Sequence, residues 1–376
     1  MIAGHMYLFD RLRSLLFGIA TRRAVIDYLR AVVLVMFILL VIAWTIDLAQ
    51  NFAELRRASV DRDVPLVSIL FPYLGYRAVD IMTRLLTMAC FFGAFFAEIS
   101  RRLKLETVIL TAAAASPLRL MAGALWLALI LGILQGGLEA RWRPSAVWAQ
   151  VKLGVGDYAH RYEPRWLSYP SWIVNDDVAI RGIVHRSQNP EIRDVMVFTG
   201  IRGLRLKNIY RAGRMIPTSV PFEWRLQDVT SWPAGQLDGV PTEDLTLKIE
   251  LIPEMLTYFG VLKFNLPSKA LYRFQILPDE ISGPEVSTAI WRRRTAWILP
   301  GAFLILGICL AQRGFEGRQM VIPRLIGLAA FGYIIVVAIK VFWALGESAI
   351  LPAPVATLAS IALALLASML VSSWRR

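Results

Sequence analysis

Six long apolar runs constrain the fold of this chain more than any other feature of its sequence. They cover residues 31–46, 81–99, 118–138, 297–311, 322–345 and 355–371. Each approaches the roughly 20 residues that a helix needs to cross about 30 Å of hydrocarbon at 1.5 Å per residue. The whole chain is 56% hydrophobic, which is more than a soluble domain carries. We predict six transmembrane helices in a three-plus-three arrangement, with an uncleaved first span that begins near Ile26.

The short loops predict the orientation of these helices. Positive charge collects at 101–104, at 313–324 and at 375–376, whereas the loop at 47–63 and the loop around Glu347 hold more acid than base. Because cytoplasmic loops are enriched in Lys and Arg, both termini are predicted to be cytoplasmic and the large insert to lie outside. The same rule explains the net charge of +13 without a nucleic-acid partner.

The insert between the third and fourth spans has a different pattern. Its short runs alternate apolar with polar residues and are rich in β-branched and aromatic types, at 172–174, 178–184, 195–198, 204–206, 224–226 and 245–249. Period-two alternation in short, frequent runs is typical of antiparallel strands. We predict an inserted all-β domain that is a sandwich, a jelly-roll-like fold or a half-barrel. The predicted domains are 1–138, 139–294 and 295–376.

Motifs for nucleotide hydrolysis, metal binding and covalent catalysis are missing from the sequence. It contains neither a G-x-x-x-x-G-K-[ST] loop nor a G-x-S-x-G elbow, and its three His and two Cys lack metal-ligand spacing. The adjacent acids Asp176 and Asp177 are more typical of a turn than of a catalytic pair. We therefore expect a protein that needs no cofactor or metal and is not itself a hydrolase.

Charged residues at the start of the second span, with Arg84 inside it, are the first candidate site. Arg77, Asp80 and Arg84 are spaced i, i+3, i+7, so they share one stripe of a helix. Charge at membrane depth is costly, so such side chains face partner charges or an aqueous cavity. Both a structural Arg–Asp pair and a cationic lining for an anionic substrate agree with this stripe. Lys340, near the outer end of the fifth span, agrees with the lining or with simple snorkelling.

A run of three arginines, Arg292, Arg293 and Arg294, lies immediately outside the fourth span. A guanidinium group matches phosphate oxygens bidentately, so this basic collar is a candidate site for a phosphorylated lipid head group. Ordinary contact with anionic lipid explains the collar equally well.

Residues 98–113, between the second and third spans, are typical of a short helix. The segment has a polar start and an Ala-rich face and is followed by Ser-Pro, which ends helices. A helix of this kind docks on a partner or serves as a plain connector.

The order of these features resembles that of the LptF/LptG family, the permease subunits of the lipopolysaccharide export transporter. Further matching pieces are Gly93, the strand motif Trp224-Arg-Leu-Gln-Asp228, residues 294–300 entering span four and residues 345–352 before span six. The resemblance covers nearly the whole chain. Its specificity comes from the order and spacing of short motifs, and these motifs do not decide between an F-type and a G-type subunit.

The resemblance implies an inner-membrane ABC transporter with two homologous permease subunits above a cytoplasmic ATPase dimer. Lipopolysaccharide would enter from the outer leaflet and pass onto the periplasmic jelly-roll-like domain. A membrane-anchored jelly-roll partner and a periplasmic bridge protein would receive it next. The resemblance places ATPase coupling at Glu106, flanked by Arg101, Arg102 and Ala112.

The predicted substrate path combines the stripe, the collar and Lys340 with the β-domain. Inward-facing β-domain residues would bind acyl chains or form an ordinary core, namely Val195, Val197, Leu204 and Leu226. A paralogue that exports another anionic glycolipid stays possible. So does a membrane-anchored scaffold whose β-domain docks periplasmic partners, although an anchor needs only one span and no buried charge. A membrane enzyme lacks a catalytic constellation.

Overall fold

The described residues form two compact units. A computed structural model describes residues 18–112, 117–162, 169–175, 177–186, 189–203, 206–236, 238–275, 279–317 and 319–373. The helical unit comprises the described residues up to Gly156 and from Ser287 onward, and the β-containing unit comprises Asp157–Val286. The β-containing unit is therefore narrower than the predicted 139–294, because helices extend into both flanks of that range.

Twelve α-helices are found in the described part of the chain. In chain order they are α1 (Ile19–Asp61), α2 (Leu66–Leu103), α3 (Glu106–Ala112), α4 (Pro117–Gly137), α5 (Arg143–Leu153), α6 (Asp157–Tyr162), α7 (Pro253–Thr257), α8 (Ser268–Gln275), α9 (Asp279–Thr295, broken at Gly283), α10 (Leu299–Arg313), α11 (Ile322–Glu347) and α12 (Ala353–Ser373). Six continuous helical stretches are long and apolar enough to cross a membrane. The predicted six-span architecture is confirmed.

The first two spanning helices are longer than the apolar runs predict. At 43 residues, α1 is about 65 Å long, roughly twice the hydrocarbon thickness. The expected loop at 47–63 is wrong, because α1 continues to Asp61 and α2 begins at Leu66. Asp47, Asn51 and Leu55 are buried at i, i+4 and i+8, so one face of this segment packs against protein and keeps it helical.

The third span also continues beyond its predicted end. A five-residue π-helical turn, Leu138–Trp142, joins α4 to α5, and the combined helix runs to Leu153 before Gly154 ends it with a left-handed φ of 69°. Such π turns occur most often at functional sites. Here the turn brings the buried side chains of Glu139 and Arg143 into the helical unit.

Two large apolar clusters pack the spanning helices of the helical unit together. One packs α1, α2 and α4 with α10, and the other packs α2 and α10 with α11 and α12. Because α2 and α10 contribute to both clusters, they form the centre of the unit, and α1, α4, α11 and α12 surround them.

Gly93 lets α1 and α2 approach closely, so Gly93→Ala is expected to destabilise the protein. A Cβ at this position would lie 2.6 Å from the Val32 Cα, and relieving such overpacking costs about 1–3 kcal/mol. Gly75 of the same helix has no heavy atom within 4 Å of the equivalent point, so Gly75→Ala should be neutral or stabilise by up to about 1 kcal/mol. Thermal unfolding in detergent compares them, and equal melting temperatures would contradict the close approach.

The β-containing unit has one antiparallel sheet of eight strands. They are β1 (Ser171–Asn175), β2 (Val178–His185), β3 (Glu191–Thr199), β4 (Asn208–Pro217), β5 (Glu223–Gln227), β6 (Val229–Pro233), β7 (Val240–Thr242) and β8 (Leu245–Lys248). Strands β5 and β6 pair with two successive parts of β4 without a shift in register. In the next row, β8 pairs with β5 and β7 pairs with β6, again without a shift between them. The sheet is therefore a six-row meander, with β1 at one edge and β7 and β8 at the other.

The predicted antiparallel β insert is confirmed, and most of the expected strands are present. The sequence analysis does not predict the strands β4, β6 and β7. Gly213 and two arginines hide the alternation in β4, and β7 has only three residues. Residues 204 and 205 of the expected strand at 204–206 lie outside the described residues, and Leu206 is not in a strand. A second short hairpin, β9 (Phe315–Glu316) with β10 (Gln319–Met320), follows α10.

Candidate functional site

The stripe on α2 is a set of ion pairs that also reaches α1. Arg77 Nη1 lies 3.2 Å from Asp80 Oδ2, and Arg84 Nε lies 3.1 Å from Asp80 Oδ1. Arg77 Nη2 lies 2.6 Å from Asp47 Oδ1. The Tyr73 hydroxyl donates a hydrogen bond of 2.7 Å to the other Asp47 oxygen. The charges of this stripe thus bind α1 to α2.

The same network continues through the π turn to α9. Arg143 Nε donates to Asp80 Oδ1 at 2.9 Å, and Arg143 Nη1 lies 3.4 Å from Glu139 Oε1. Glu139 Oε1 is also 2.6 Å from Arg292 Nε. The Arg292 guanidinium stacks 3.8 Å from the centroid of the Trp343 ring on α11, which is a close cation–π contact. We call these seven charged residues the Asp80 network, namely Asp47, Arg77, Asp80, Arg84, Glu139, Arg143 and Arg292.

Burial makes the Asp80 network a structural feature of the helical unit. The side chains of Asp80, Glu139 and Arg143 are at most 2% exposed. Three carboxylates are shared among four guanidinium groups, so each buried acid has at least one cationic partner. Breaking a buried pair on one side leaves an uncompensated charge. The network therefore cross-links α1, α2, the π turn and α9 through buried ion pairs.

The structure divides the predicted substrate-path residues into two sets. Arg77, Asp80 and Arg292 belong to the interior of the network, and Arg293 is buried beside it. Arg84 pairs with Asp80 but keeps 46% of its side chain exposed. Arg294 and Lys340 are exposed. Of the predicted path residues, only this second set presents positive charge at the surface of the helical unit.

A second buried cluster lies 18 residues further along α2, about 27 Å away at 1.5 Å per residue. The Tyr28 hydroxyl donates to Glu98 Oε2 at 2.7 Å and accepts from Arg101 Nη1 at 2.7 Å. Gln312 Nε2 donates to Glu98 Oε1 at 3.1 Å. These four residues, the Glu98 cluster, join α1, α2 and α10 at the end of α2.

Glu106 is held beside the Glu98 cluster by two arginines. Its Oε2 lies 3.5 Å from Arg101 Nε, and its Oε1 lies 3.1 Å from Arg23 Nη2. The helix predicted at 98–113 is shorter than expected, because residues 98–103 are the end of α2. The chain turns at Leu105, with a φ of 61°, and α3 begins at Glu106. The structure thus brings Glu106 and Arg101 together at the junction of α2 and α3.

The other two predicted coupling residues lie apart from Glu106. Arg102 Nη1 donates to the Gln312 carbonyl at 3.0 Å, and its guanidinium lies 5.4 Å from the Phe315 ring centroid. Arg102 therefore ties the end of α2 to the end of α10. Ala112 is the exposed last residue of α3.

The predicted lipid-binding residues of the β-domain are core residues in this structure. Val195, Val197 and Leu226 are fully buried in one apolar cluster. Trp224 completes this core, and its indole N–H donates to the Leu251 carbonyl at 2.9 Å. The remaining predicted residue, Leu204, lies outside the described residues.

Asp177, one of the two adjacent acids, stabilises a turn. It accepts a hydrogen bond of 3.1 Å from the Arg202 amide and pairs with Lys207 at 3.3 Å. The hydrogen bond from the Arg202 amide, followed by the contact with Lys207, lowers the pKa of the Asp177 carboxyl group. Asp176 lies outside the described residues. Among the described residues, no group of His, Cys, Asp and Glu is arranged to hold a metal ion.

Comparison with family models decides the identity of the chain. Residues 27–374 match the family described as lipopolysaccharide export system permease LptF/LptG. The chain belongs to the LptF/LptG family. It is a lipopolysaccharide export permease, a multi-pass inner-membrane protein and a transporter component rather than a hydrolase. No curated protein gave a significant match.

The sequence contained signals for some residues of this LptF/LptG permease that the prediction missed. Asp47, Glu139 and Arg143 are charges at the ends of apolar runs, which is where buried partners for Arg77 and Asp80 are expected. Tyr28 and Gln312 gave no comparable signal, because their roles depend on three helices meeting at Glu98.

Proposed function

We propose that this chain is one of two homologous permeases in an ABC transporter driven by a cytoplasmic ATPase dimer. In this proposal it extracts lipopolysaccharide from the outer leaflet of the inner membrane. The β-containing unit, on the periplasmic side, passes the lipid to a membrane-anchored jelly-roll partner and then to a periplasmic bridge protein. The observation that carries the proposal is the family match over residues 27–374. The short loops support cytoplasmic termini.

The junction of α2 and α3 is the proposed ATPase-coupling site. Glu106 begins a seven-residue helix and is tied through Arg101 to the Glu98 cluster. A displacement of α3 by the ATPase would therefore reach α1, α2 and α10 through charged contacts. Such a rigid connection between a docking helix and the spans is what a conformational coupling mechanism requires.

Positive charge at the surface of the helical unit is the proposed lipid contact. Arg84, Arg294 and Lys340 are the predicted path residues with exposed side chains, and guanidinium groups match phosphate oxygens. The buried members of the path, Arg77 and Arg292, support these contacts indirectly by fixing the helices. Val195, Val197 and Leu226 would meet acyl chains only when the apolar cluster that buries them opens.

Co-purification from the native membrane tests the proposed function. Mass spectrometry of the detergent-extracted complex should find a second permease, an ATPase and lipopolysaccharide. Another anionic glycolipid with the same protein partners would favour a paralogous exporter. A protein isolated without an ATPase, and with periplasmic partners alone, would contradict transport and favour the scaffold.

Arg84→Ala is expected to reduce crosslinking to lipopolysaccharide several-fold without unfolding the protein. The Arg84–Asp80 pair is about half exposed on the arginine side, and exposed pairs contribute at most about 1 kcal/mol to stability. Photo-crosslinking from a probe placed on α2 measures the effect. The control is Arg324→Ala, which removes another half-exposed, ion-paired arginine, at the start of α11. Equal crosslinking of both variants would exclude Arg84 from the lipid path.

A further inference from the structure

Arg186 is a buried cation without an anionic partner among the described residues. It follows β2 in the β-containing unit and is only 7% exposed. Its Nε has no hydrogen-bond acceptor, and no carboxylate of the described residues lies within ion-pair distance of it. A buried guanidinium without compensation is costly, because desolvation penalises its charged form.

Three other strongly buried arginines show how this chain compensates such a charge with carboxylates. Arg101 pairs with Glu98, and Arg143 pairs with both Asp80 and Glu139. Arg292 pairs with Glu139. No described side chain provides a comparable carboxylate oxygen for Arg186. A stabilising role within the fold therefore does not explain the burial of this charge.

One edge of the Arg186 guanidinium lies beside Gly260. Gly260 is exposed and has a φ of 71°, and a Cβ on it would lie 3.1 Å from Arg186 Nη2. The missing side chain thus leaves open the space over that nitrogen. Among the described residues, Tyr162 and Tyr169 are the titratable groups close enough to influence Arg186, and neither carries a carboxylate. Burial lowers the pKa of Arg186.

We propose that Arg186 and the open space at Gly260 form a binding site for a phosphoryl group. A phosphoryl oxygen that approaches over Gly260 would contact Nη2 of Arg186. It would supply the negative charge that no described side chain supplies there. Arginine suits this ligand because its planar donors match phosphate oxygens in pairs. Free phosphate and the phosphate of a lipid head group share this chemistry. The site does not depend on the proposed transport function.

Full-length protein in detergent and phosphate-free buffer tests the site by calorimetric titration. The probes are inorganic phosphate, phosphorylated lipid A and dephosphorylated lipid A. Arg186→Met should weaken phosphoryl binding by about tenfold or more, and Arg186→Lys should weaken it less. Arg225→Met, at an exposed arginine of β5 in the same unit, should bind like the parent protein.

The melting temperature of the ligand-free variants separates binding from a structural role. Because Arg186→Met removes an uncompensated buried charge, its melting temperature should equal or exceed that of the parent. Arg186-dependent binding of inorganic phosphate supports a free-anion site, and binding of phosphorylated lipid A alone supports a head-group site. Affinities that do not depend on Arg186 would overturn the proposal, and so would a lower melting temperature of Arg186→Met with unchanged affinities. If Arg186→Met does not fold, Arg186→Lys and Arg225→Met provide the comparison.

Discussion

Asp80→Ala is expected to lower the free energy of unfolding by about 3–5 kcal/mol, the cost of removing one side of a buried ion pair. The Asp80 carboxylate forms ion pairs with three guanidinium groups, those of Arg77, Arg84 and Arg143. Its removal deprives Arg143, which is 2% exposed, of the 2.9 Å ion pair with Asp80, and Glu139, which also pairs with Arg143, already binds Arg292. The loss therefore spreads from α2 to the π turn and α9.

Thermal unfolding in detergent measures this loss, and an exposed acid provides the matched control. Asp194 is 57% exposed and lies 3.8 Å from Arg211, so Asp194→Ala should cost less than about 1 kcal/mol. The double variant Asp80→Ala with Arg143→Met removes both charges of the most buried pair. It should recover part of the stability, because the two residues are in direct contact. Equal melting temperatures for Asp80→Ala and Asp194→Ala would show that the network does not hold the helices.

The parts of the fold that were predictable from sequence are those with a strong local pattern. Apolar runs near 20 residues mark the spans, and period-two alternation marks most strands. The helical segment at 47–61 was missed because it is polar on one side and stays helical only through tertiary burial of residues such as Leu55. The π turn was missed because no sequence rule distinguishes it from continued α-helix.

The same distinction applies to the candidate site, because contacts within one helix were predictable and contacts between helices were not. Pairing of Asp80 with Arg77 and Arg84 is local, since residues three and four apart on a helix are neighbours. Its partners Arg143 and, through Glu139, Arg292 come from other helices, and single-sequence patterns do not encode their proximity. Burial of the stripe therefore supports the structural interpretation for Arg77 and Asp80, whereas the exposure of Arg84 keeps a lipid-contact role open to it.

Glu106→Arg is expected to weaken association with the ATPase by at least about thirtyfold, if α3 is the coupling helix. Loss of a buried interfacial charge pair costs about 2–5 kcal/mol of binding, and about 1.4 kcal/mol corresponds to tenfold. The substitution also places a third positive charge beside Arg23 and Arg101, the two current partners of Glu106. Co-purification of the ATPase and lipid-stimulated ATP hydrolysis are the two measurements.

The fold should survive Glu106→Arg, because Arg101 keeps Glu98 and Tyr28 as partners and Arg23 is 69% exposed. Glu316→Arg is the matched control, since Glu316 is an exposed acid that also pairs with an arginine. It should retain the ATPase and have the same melting temperature as Glu106→Arg. Glu106→Gln, which removes the charge and keeps the shape, should give an intermediate loss. Full ATPase association of Glu106→Arg would show that the Glu106 carboxylate does not contact the ATPase, and coupling would then have to pass through other residues.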